Sequence, residues 1–361
     1  MRAVILAGGP DIGKCPLSMI RPRPLFPLIS GVLLEHLLKV LSRSGIEEAV
    51  ICANGKTYAF REHFRANPAE EQRIGFHDDG LPRGTAGCMK DVADFVGGDT
   101  FIVLEGGLFL QGDLTQMMED HKKNGAALTM GAVPADAWRG GDEWISSDGL
   151  ISPLGVYVVE PQVLDHVPEK GYFDIKEQLI PKAQKALLRV STSRFCGRHR
   201  RISDASSYVS LVQEILSGAF GKLHFAGLKE IAPDVWVGKG VTISPSAKLV
   251  GPVAIGDASI IGKEVVVRGP SLVGENVILD DKAAITGSIL WPNAVVGSGA
   301  VVEYSIVADS FKVGASGRLS HSVAIDKNLK IGEVHGLQQG GYLVNTLNGF
   351  IRRLGGDWLS S

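Results

Sequence analysis

An α/β domain followed by a prism of six-residue β repeats is the predicted architecture, and three features of the sequence carry the prediction. Short β-branched runs alternate with amphipathic stretches between Arg2 and Met130, an aliphatic residue falls at every sixth position from Val237, and the texture changes abruptly between the two regions. Alternation of the first kind marks βαβ units on a doubly wound, largely parallel sheet. Periodicity of the second kind marks a coil of stacked short strands, each unable to bury its apolar face without its neighbours.

The elements follow in order. Ala3 to Leu6 reads as the first strand, Leu33 to Ser42 as a helix and Ala49 to Cys52 as a second strand. Gly87 to Phe95 reads as a helix, Thr100 to Leu104 as a strand, Leu114 to Asn124 as a helix and Ala126 to Ala132 as a strand. The polar segment from Pro134 to Gly149 is expected to be a loop or hairpin. Gly155 to Val159 is a strand, Phe173 to Lys185 includes a helix, and a helix from Ser206 to Leu216 closes the domain.

Val237, Ile243, Leu249, Ile255, Ile261, Val267, Val273, Leu279 and Ile285 then lie six apart without a break. After a one-residue slip the register resumes at Leu290, Val296 and Val302, and after another at Val307, followed by Val313 and Leu319. Glycine follows the aliphatic at Gly238, Gly256, Gly262, Gly274, Gly297 and Gly314. This pattern resembles the hexapeptide repeat of left-handed parallel β-helices, an exception to the right-handed crossover rule, in which the aliphatics point into the bore of a triangular prism. The expected domains are residues 1–220, the repeat over 228–325, and a tail over 326–361. In the tail, Leu343, Val344, Leu347, Phe350, Ile351 and Leu354 share one face of an expected short amphipathic helix.

At 361 residues and 45% hydrophobic content the chain can bury a large core. Thirty-seven Lys and Arg balance thirty-nine Asp and Glu, so no global field favours nucleic acid or an anionic membrane, and phosphate binding has to be local. Cys15, Cys52, Cys88 and Cys196 are scattered, without zinc-site spacing. The amino-terminal apolar run is too short for a signal peptide, and no stretch has the length of an integral membrane segment. A cytoplasmic location is the expectation.

A glycine-rich turn, Leu6-Ala7-Gly8-Gly9-Pro10-Asp11-Ile12-Gly13-Lys14, follows the first strand, where backbone N–H groups can meet phosphate. Pro22-Arg23-Pro24-Leu25-Phe26-Pro27-Leu28, Leu34-Glu35-His36, Ser44-Gly45-Ile46 and Arg83-Gly84-Thr85-Ala86-Gly87 come next, and Gly155-Val156-Tyr157, Phe173-Asp174-Ile175 and Leu179-Ile180-Pro181 complete the set. In this order and spacing they resemble the sugar-nucleotide pyrophosphorylases, the nucleotidyltransferases that make NDP-sugars from sugar 1-phosphates and nucleoside triphosphates. The resemblance spans residues 2–217 and implies a Rossmann-like nucleotidyltransferase domain. It places Leu6, Ala7, Gly8, Gly9, Lys14, Arg23, Gly84 and Thr85 on the nucleotide side and Gly155 and Asp174 on the sugar side.

The same resemblance exposes departures. The family turn reads LAGGxGTRL, and its phosphate-gripping arginine falls on Gly13; Lys14 offers a cation without the planar fork. The family PKP lysine becomes Arg23, which keeps the charge. The two aspartates that hold Mg²⁺ fall on Gly107 and Arg201, so no metal site is expected and Mg²⁺ belongs only to the reading of an active enzyme. Glu105, Asp113 and Asp204 are the candidate replacement carboxylates. The sugar-contacting EKP segment has no counterpart between Ala132 and Leu154.

Arg198, His199, Arg200 and Arg201 form a basic cluster at the missing second ligand, either a solvated loop or a source of charge in place of the metal. His321 is expected to be structural rather than the general base of a β-helix acyltransferase. The expected function is therefore that of a catalytically degenerate homologue, a pseudoenzyme that binds a nucleotide or NDP-sugar and acts as a regulatory or scaffolding subunit, as a homo-oligomer or with an active homologue. The rivals are an active mannose-1-phosphate or glucose-1-phosphate type pyrophosphorylase with displaced ligands, and a pure oligomerisation module.

Overall fold

The structure is a computed structural model that describes residues 1–8, 15–68, 72–78, 80, 82–134, 144–146, 149–221, 225–325, 342–345 and 350–353. Its contacts divide the chain into two compact units. The first comprises residues 1–10, 22–25 and 33–201; the second comprises residues 11–21, 26–32 and 202–361.

The first unit is a mixed sheet flanked by helices. Its strands are β1 (Arg2–Leu6), β2 (Glu48–Cys52), β3 (Arg73–His77), β4 (Phe101–Glu105), β5 (Leu108–Gln111), β6 (Leu128–Pro134), β7 (Trp144–Ser146), β8 (Gly149–Val159), β9 (Val190–Arg194) and β10 (Arg198–Arg201). The main sheet runs β3-β2-β1-β4-β8-β6-β9, with β7 paired to β8 as a hairpin and β10 paired to β5 in a separate ribbon. β3, β2, β1 and β4 are parallel, and β8 is antiparallel to both β4 and β6. Ala3, Val4 and Ile5 of β1 are wholly buried, as a central strand covered on both faces requires.

Helices α1 (Leu33–Arg43), α2 (Thr57–Ala66), α3 (Gly84–Asp91), α4 (Ala93–Val96), α5 (Thr115–Asn124) and α6 (Ile180–Lys185) join these strands. On α1, Leu33, Leu34, Leu37, Leu38, Val40 and Leu41 recur at three- and four-residue spacing and are all buried, one apolar stripe on a helix that packs beside β5. α5 ends at Gly125 in the left-handed conformation that releases a helix. The helix expected over Gly87 to Phe95 is broken at Val92 into α3 and α4.

The second unit is built on a three-sided coil. Strands such as Val253–Ile255, Ile260–Ile261 and Val266–Arg268 occupy successive faces, and each pairs in parallel with the strand one coil later. The aliphatics expected in the bore are there: Ile255, Ile261, Val267, Val273, Leu279, Ile285, Leu290, Val296, Val302 and Val307 form one buried cluster. Each such side chain contributes roughly 1.5–3 kcal/mol on burial. The glycines after them fit corners where the next coil presses close; a Cβ on Gly274 would meet Trp291 and Pro292 backbone at 2.9 Å.

The one-residue slips have a local cause. Between paired strands, one corner holds Gly251-Pro252-Val253 and Gly269-Pro270-Ser271 in the early coils, then only Gly287-Ser288, Tyr304-Ser305 and His321-Ser322 in the later ones. A serine ladder serves the shortened corner. The amides of Ser288, Ser305 and Ser322 donate to the hydroxyls of Ser271, Ser288 and Ser305, each at 3.1 Å and across 17 residues. In an earlier coil a comparable bond spans 18 residues, from the Val277 amide to the Ser259 hydroxyl.

One outer face of the prism, carrying Ala254, Leu272, Ile289, Ile306 and Val323, is buried. Helix α7 (Ala205–Leu216) packs on that face, capped by Asp204, whose carboxylate accepts the Ser207 amide at 2.7 Å in a reciprocal capping box. The tail differs from expectation. Its described residues form two antiparallel strands, Tyr342–Asn345 and Phe350–Arg353, rather than a helix, and the first pairs with Ser322–Ile325. Short aromatic and β-branched runs satisfy both periodicities, and pairing with an open strand edge decides between them.

Candidate functional site

Strand order reverses its direction of growth between β1 and β4, and in open α/β sheets the crevice beyond the carboxyl ends of such strands is where ligands bind. The two strands end in register, Leu6 opposite Glu105. The Gly106 amide donates to the Leu6 carbonyl at 2.9 Å, and the Ala7 amide to the Cys52 carbonyl at 2.8 Å, so the turn leaves the sheet between β2 and β4. Gly8 is needed for close approach, since a Cβ there would lie 2.3 Å from that of Asn54. Gly9, Gly13 and Lys14 lie outside the described residues.

The chain at Arg23-Pro24 lies close to this end of the sheet, because Gly106 leaves room for Pro24; a Cβ at 106 would meet the proline ring at 2.8 Å. Gly107 follows without a side chain. Arg201 stands at the end of β10, and its guanidinium forms an ion pair with the Glu105 carboxylate. Its other Nη lies 3.4 Å from the Leu154 carbonyl. Gly155, at φ +85°, makes the pair possible: a Cβ there would sit 2.7 Å from Arg201 Nη2 and 2.9 Å from Glu105 Cδ. Burial, with Arg23 nearby as the second cause, pulls the Arg201 pKa down to about 10, so Arg201 remains a cation at neutral pH.

The expected basic cluster is split by strand geometry. Arg198–Arg201 is β10, paired antiparallel with β5, not a solvated loop. Alternation sends His199 and Arg201 to one face and the exposed Arg198 and Arg200 to the other. Burial, and then the charge of Arg200, hold the His199 pKa below its ordinary value.

Thr85 and Asp174 meet, but as a structural clamp. The Thr85 hydroxyl donates to Asp174 Oδ2 at 2.8 Å and accepts from the Ile175 amide at 2.8 Å. Asp174 Oδ1 caps the turn that begins there, accepting from the amides of Lys176 and Glu177 at 2.7 and 3.1 Å. Gly84, at φ +77°, passes so close to Phe173 that a Cβ would lie 2.6 Å from its carbonyl oxygen.

The three candidate replacement carboxylates are all engaged. Glu105 holds Arg201, Asp113 accepts the Thr115 amide at 3.0 Å at the start of α5, and Asp204 caps α7. Among the described residues, no group of three or more His, Cys, Asp or Glu side chains could hold a metal ion. At the two positions where the family pattern has aspartates, Gly107 has no side chain and Arg201 carries a cation, so these two positions offer Mg²⁺ no carboxylate oxygen. His321 is exposed, stacked on Tyr304 with ring centroids 5.1 Å apart, and bonded to the adjacent Ser320 hydroxyl at 2.9 Å.

The fold is that of an α/β domain with a strand-order reversal at the carboxyl ends of β1 and β4, joined to a hexapeptide-repeat coil. Residues 2–139 match the family model described as Nucleotidyl transferase, and residues 263–340 match GlmU-like, C-terminal hexapeptide. The chain carries a nucleotidyl transferase domain of Rossmann-like fold, followed by a GlmU-like hexapeptide domain whose stacked parallel strands are those of a left-handed β-helix. It is 24% identical over 355 residues to UTP--glucose-1-phosphate uridylyltransferase of Synechocystis sp., covering 88% of this chain and 89% of that protein. Mannose-1-phosphate guanylyltransferase of Mycobacterium tuberculosis is 26% identical, covering 72% of this chain and 76% of its own length. The crystal structure of HddC from Yersinia pseudotuberculosis shares the fold, with a TM-score of 0.51 at 20% identity over 59% of this chain and 99% of that one. Among the described residues no helix is long and apolar enough to cross a membrane.

Proposed function

We propose that this protein is a nucleotide- or NDP-sugar-binding member of its family that does not carry out metal-dependent nucleotidyl transfer, and that it acts as a regulatory or scaffolding subunit. The observation that carries the reading is the Arg201–Glu105 ion pair beside Gly107 at the end of β4. At the two positions where the family pattern has aspartates there is a guanidinium and no side chain. Transfer needs a divalent cation to bridge and neutralise phosphate oxygens, and this crevice instead carries its positive charge on Arg23 and Arg201. The names of the relatives support a nucleoside triphosphate or an NDP-glucose or NDP-mannose as the ligand class. The prism is the element suited to self-association or to joining an active homologue.

The test is calorimetric titration with nucleoside triphosphates and NDP-sugars, in Mg²⁺ and in EDTA, with pyrophosphate release followed in parallel. Binding that persists in EDTA without release is the expected result. Mg²⁺-dependent release of pyrophosphate would make the chain an active pyrophosphorylase, and the absence of any binding would leave an assembly module.

A further inference from the structure

We propose that Glu105 is an internal anion occupying the guanidinium of Arg201 until a phosphate displaces it, so that the end of β4 is a masked anion site. The choice of ligand rests on the nucleotide-binding reading above; the masking itself rests on the ion pair.

A guanidinium presents a planar fork that fits a carboxylate and a phosphate alike, so the two compete for one set of donors. Arg201 is preset for such an exchange. It ends a strand whose register is pinned by β5, and 26% of its side chain remains exposed, against 20% for Glu105. The pair is within reach of solvent. Gly155 places no side chain beside it; a Cβ there would crowd Arg201 Nη2 at 2.7 Å and Glu105 Cδ at 2.9 Å and force the pair to shift.

The charges favour displacement by a polyanion. Glu105 brings one negative charge to a crevice holding two guanidinium groups, those of Arg201 and Arg23, close enough for Arg23 to disfavour the charged form of its neighbour. A diphosphate brings more negative charge to these two cations than the single carboxylate does. The exchange breaks the Glu105–Arg201 hydrogen bonds and forms phosphate–guanidinium bonds, with no proton or electron moved.

The experiment is titration of inorganic pyrophosphate and of the NDP-sugar panel into the wild type, Glu105→Gln and Arg201→Gln, all in EDTA. Glu105→Gln keeps the shape and removes the competing charge, so pyrophosphate should bind on the order of tenfold tighter than to the wild type, and Arg201→Gln should abolish the gain. A structural ion pair predicts the opposite, loss of affinity or none gained when Glu105 is changed. If the wild type binds an NDP-sugar and Glu105→Gln binds no tighter, masking is overturned while the nucleotide-binding reading stands. If only Glu105→Gln binds, and binds pyrophosphate alone, masking stands and nucleotide binding by the native chain fails. If neither binds either ligand, both are overturned. Should Glu105→Gln not fold, Glu105→Asp, which shortens the reach to Arg201 and keeps the charge, reads the same competition with a smaller gain.

Discussion

His36, on α1, lies in the first unit with its ring stacked on Phe109 at 4.2 Å, and its Nε2 donates to the Leu110 carbonyl at 2.6 Å. Burial is the main reason its pKa falls below the ordinary histidine value, and Arg43 and Lys39 push the same way against the carbonyl bond. The folded state therefore holds His36 neutral at pH values where the unfolded chain binds a proton. Stability from this residue is complete above about pH 6.5 and is lost as pH falls from there through the lower folded pKa. Thermal unfolding followed between pH 7.5 and 5 should show that decline, and His36→Gln should flatten it. The same scale shows what a sequence hides. Arg201 and Glu105 are 96 positions apart, and only the β5–β10 register, together with a glycine at 155, makes them partners. Glu105 stood out as a carboxylate before Gly106-Gly107, but nothing in its neighbourhood named an arginine as its occupant.

Among elements, the prism was legible almost residue by residue, because one aliphatic per six residues is a strong signal that needs no tertiary information. The slips were visible too, though not their chemistry. They reflect a corner where serine hydroxyls take the place of a lost residue, and each hydroxyl also donates back to its own coil, as Ser288 does to the Thr286 carbonyl at 2.7 Å. Ser288→Ala would leave the buried Ser305 amide without its acceptor and should cost about 1–3 kcal/mol, read as a lower denaturation midpoint with an unchanged slope. β10 was illegible because Arg-His-Arg-Arg contains no apolar alternation; its strand character comes from pairing with β5, and its buried residue is a histidine. The tail failed for the reverse reason, its apolar spacing serving helix and strand alike.

At the scale of the molecule, chain order and packing order differ. Residues 11–21 and 26–32, which belong by sequence to the first domain, cluster with residues 202–361. Within that second unit Trp291 is the hub: its ring meets Phe26 at 5.3 Å and Tyr208 at 6.2 Å, and its Nε1 donates to the Tyr208 hydroxyl at 3.0 Å. Tyr208 passes the chain on to the Pro27 carbonyl at 2.6 Å, and Arg21 pairs with Asp309. Trp291→Ala should cost roughly 3–5 kcal/mol, and hydrogen exchange should rise at residues 15–21 and 26–32 as well as in the coil around position 291, because one packed cluster holds both.

The corner occupied by Gly287, Tyr304 and His321 has a consequence for how such a coil can vary. There the chain drops from three residues to two between strands whose neighbours stay paired on either side, and the left-handed backbone at all three positions turns the edge without help from the missing residue. The other two edges keep count throughout. One edge of the prism is thus a tolerance seam, where chain length can change by a residue and where an inserted loop or reporter could enter without unthreading the coil.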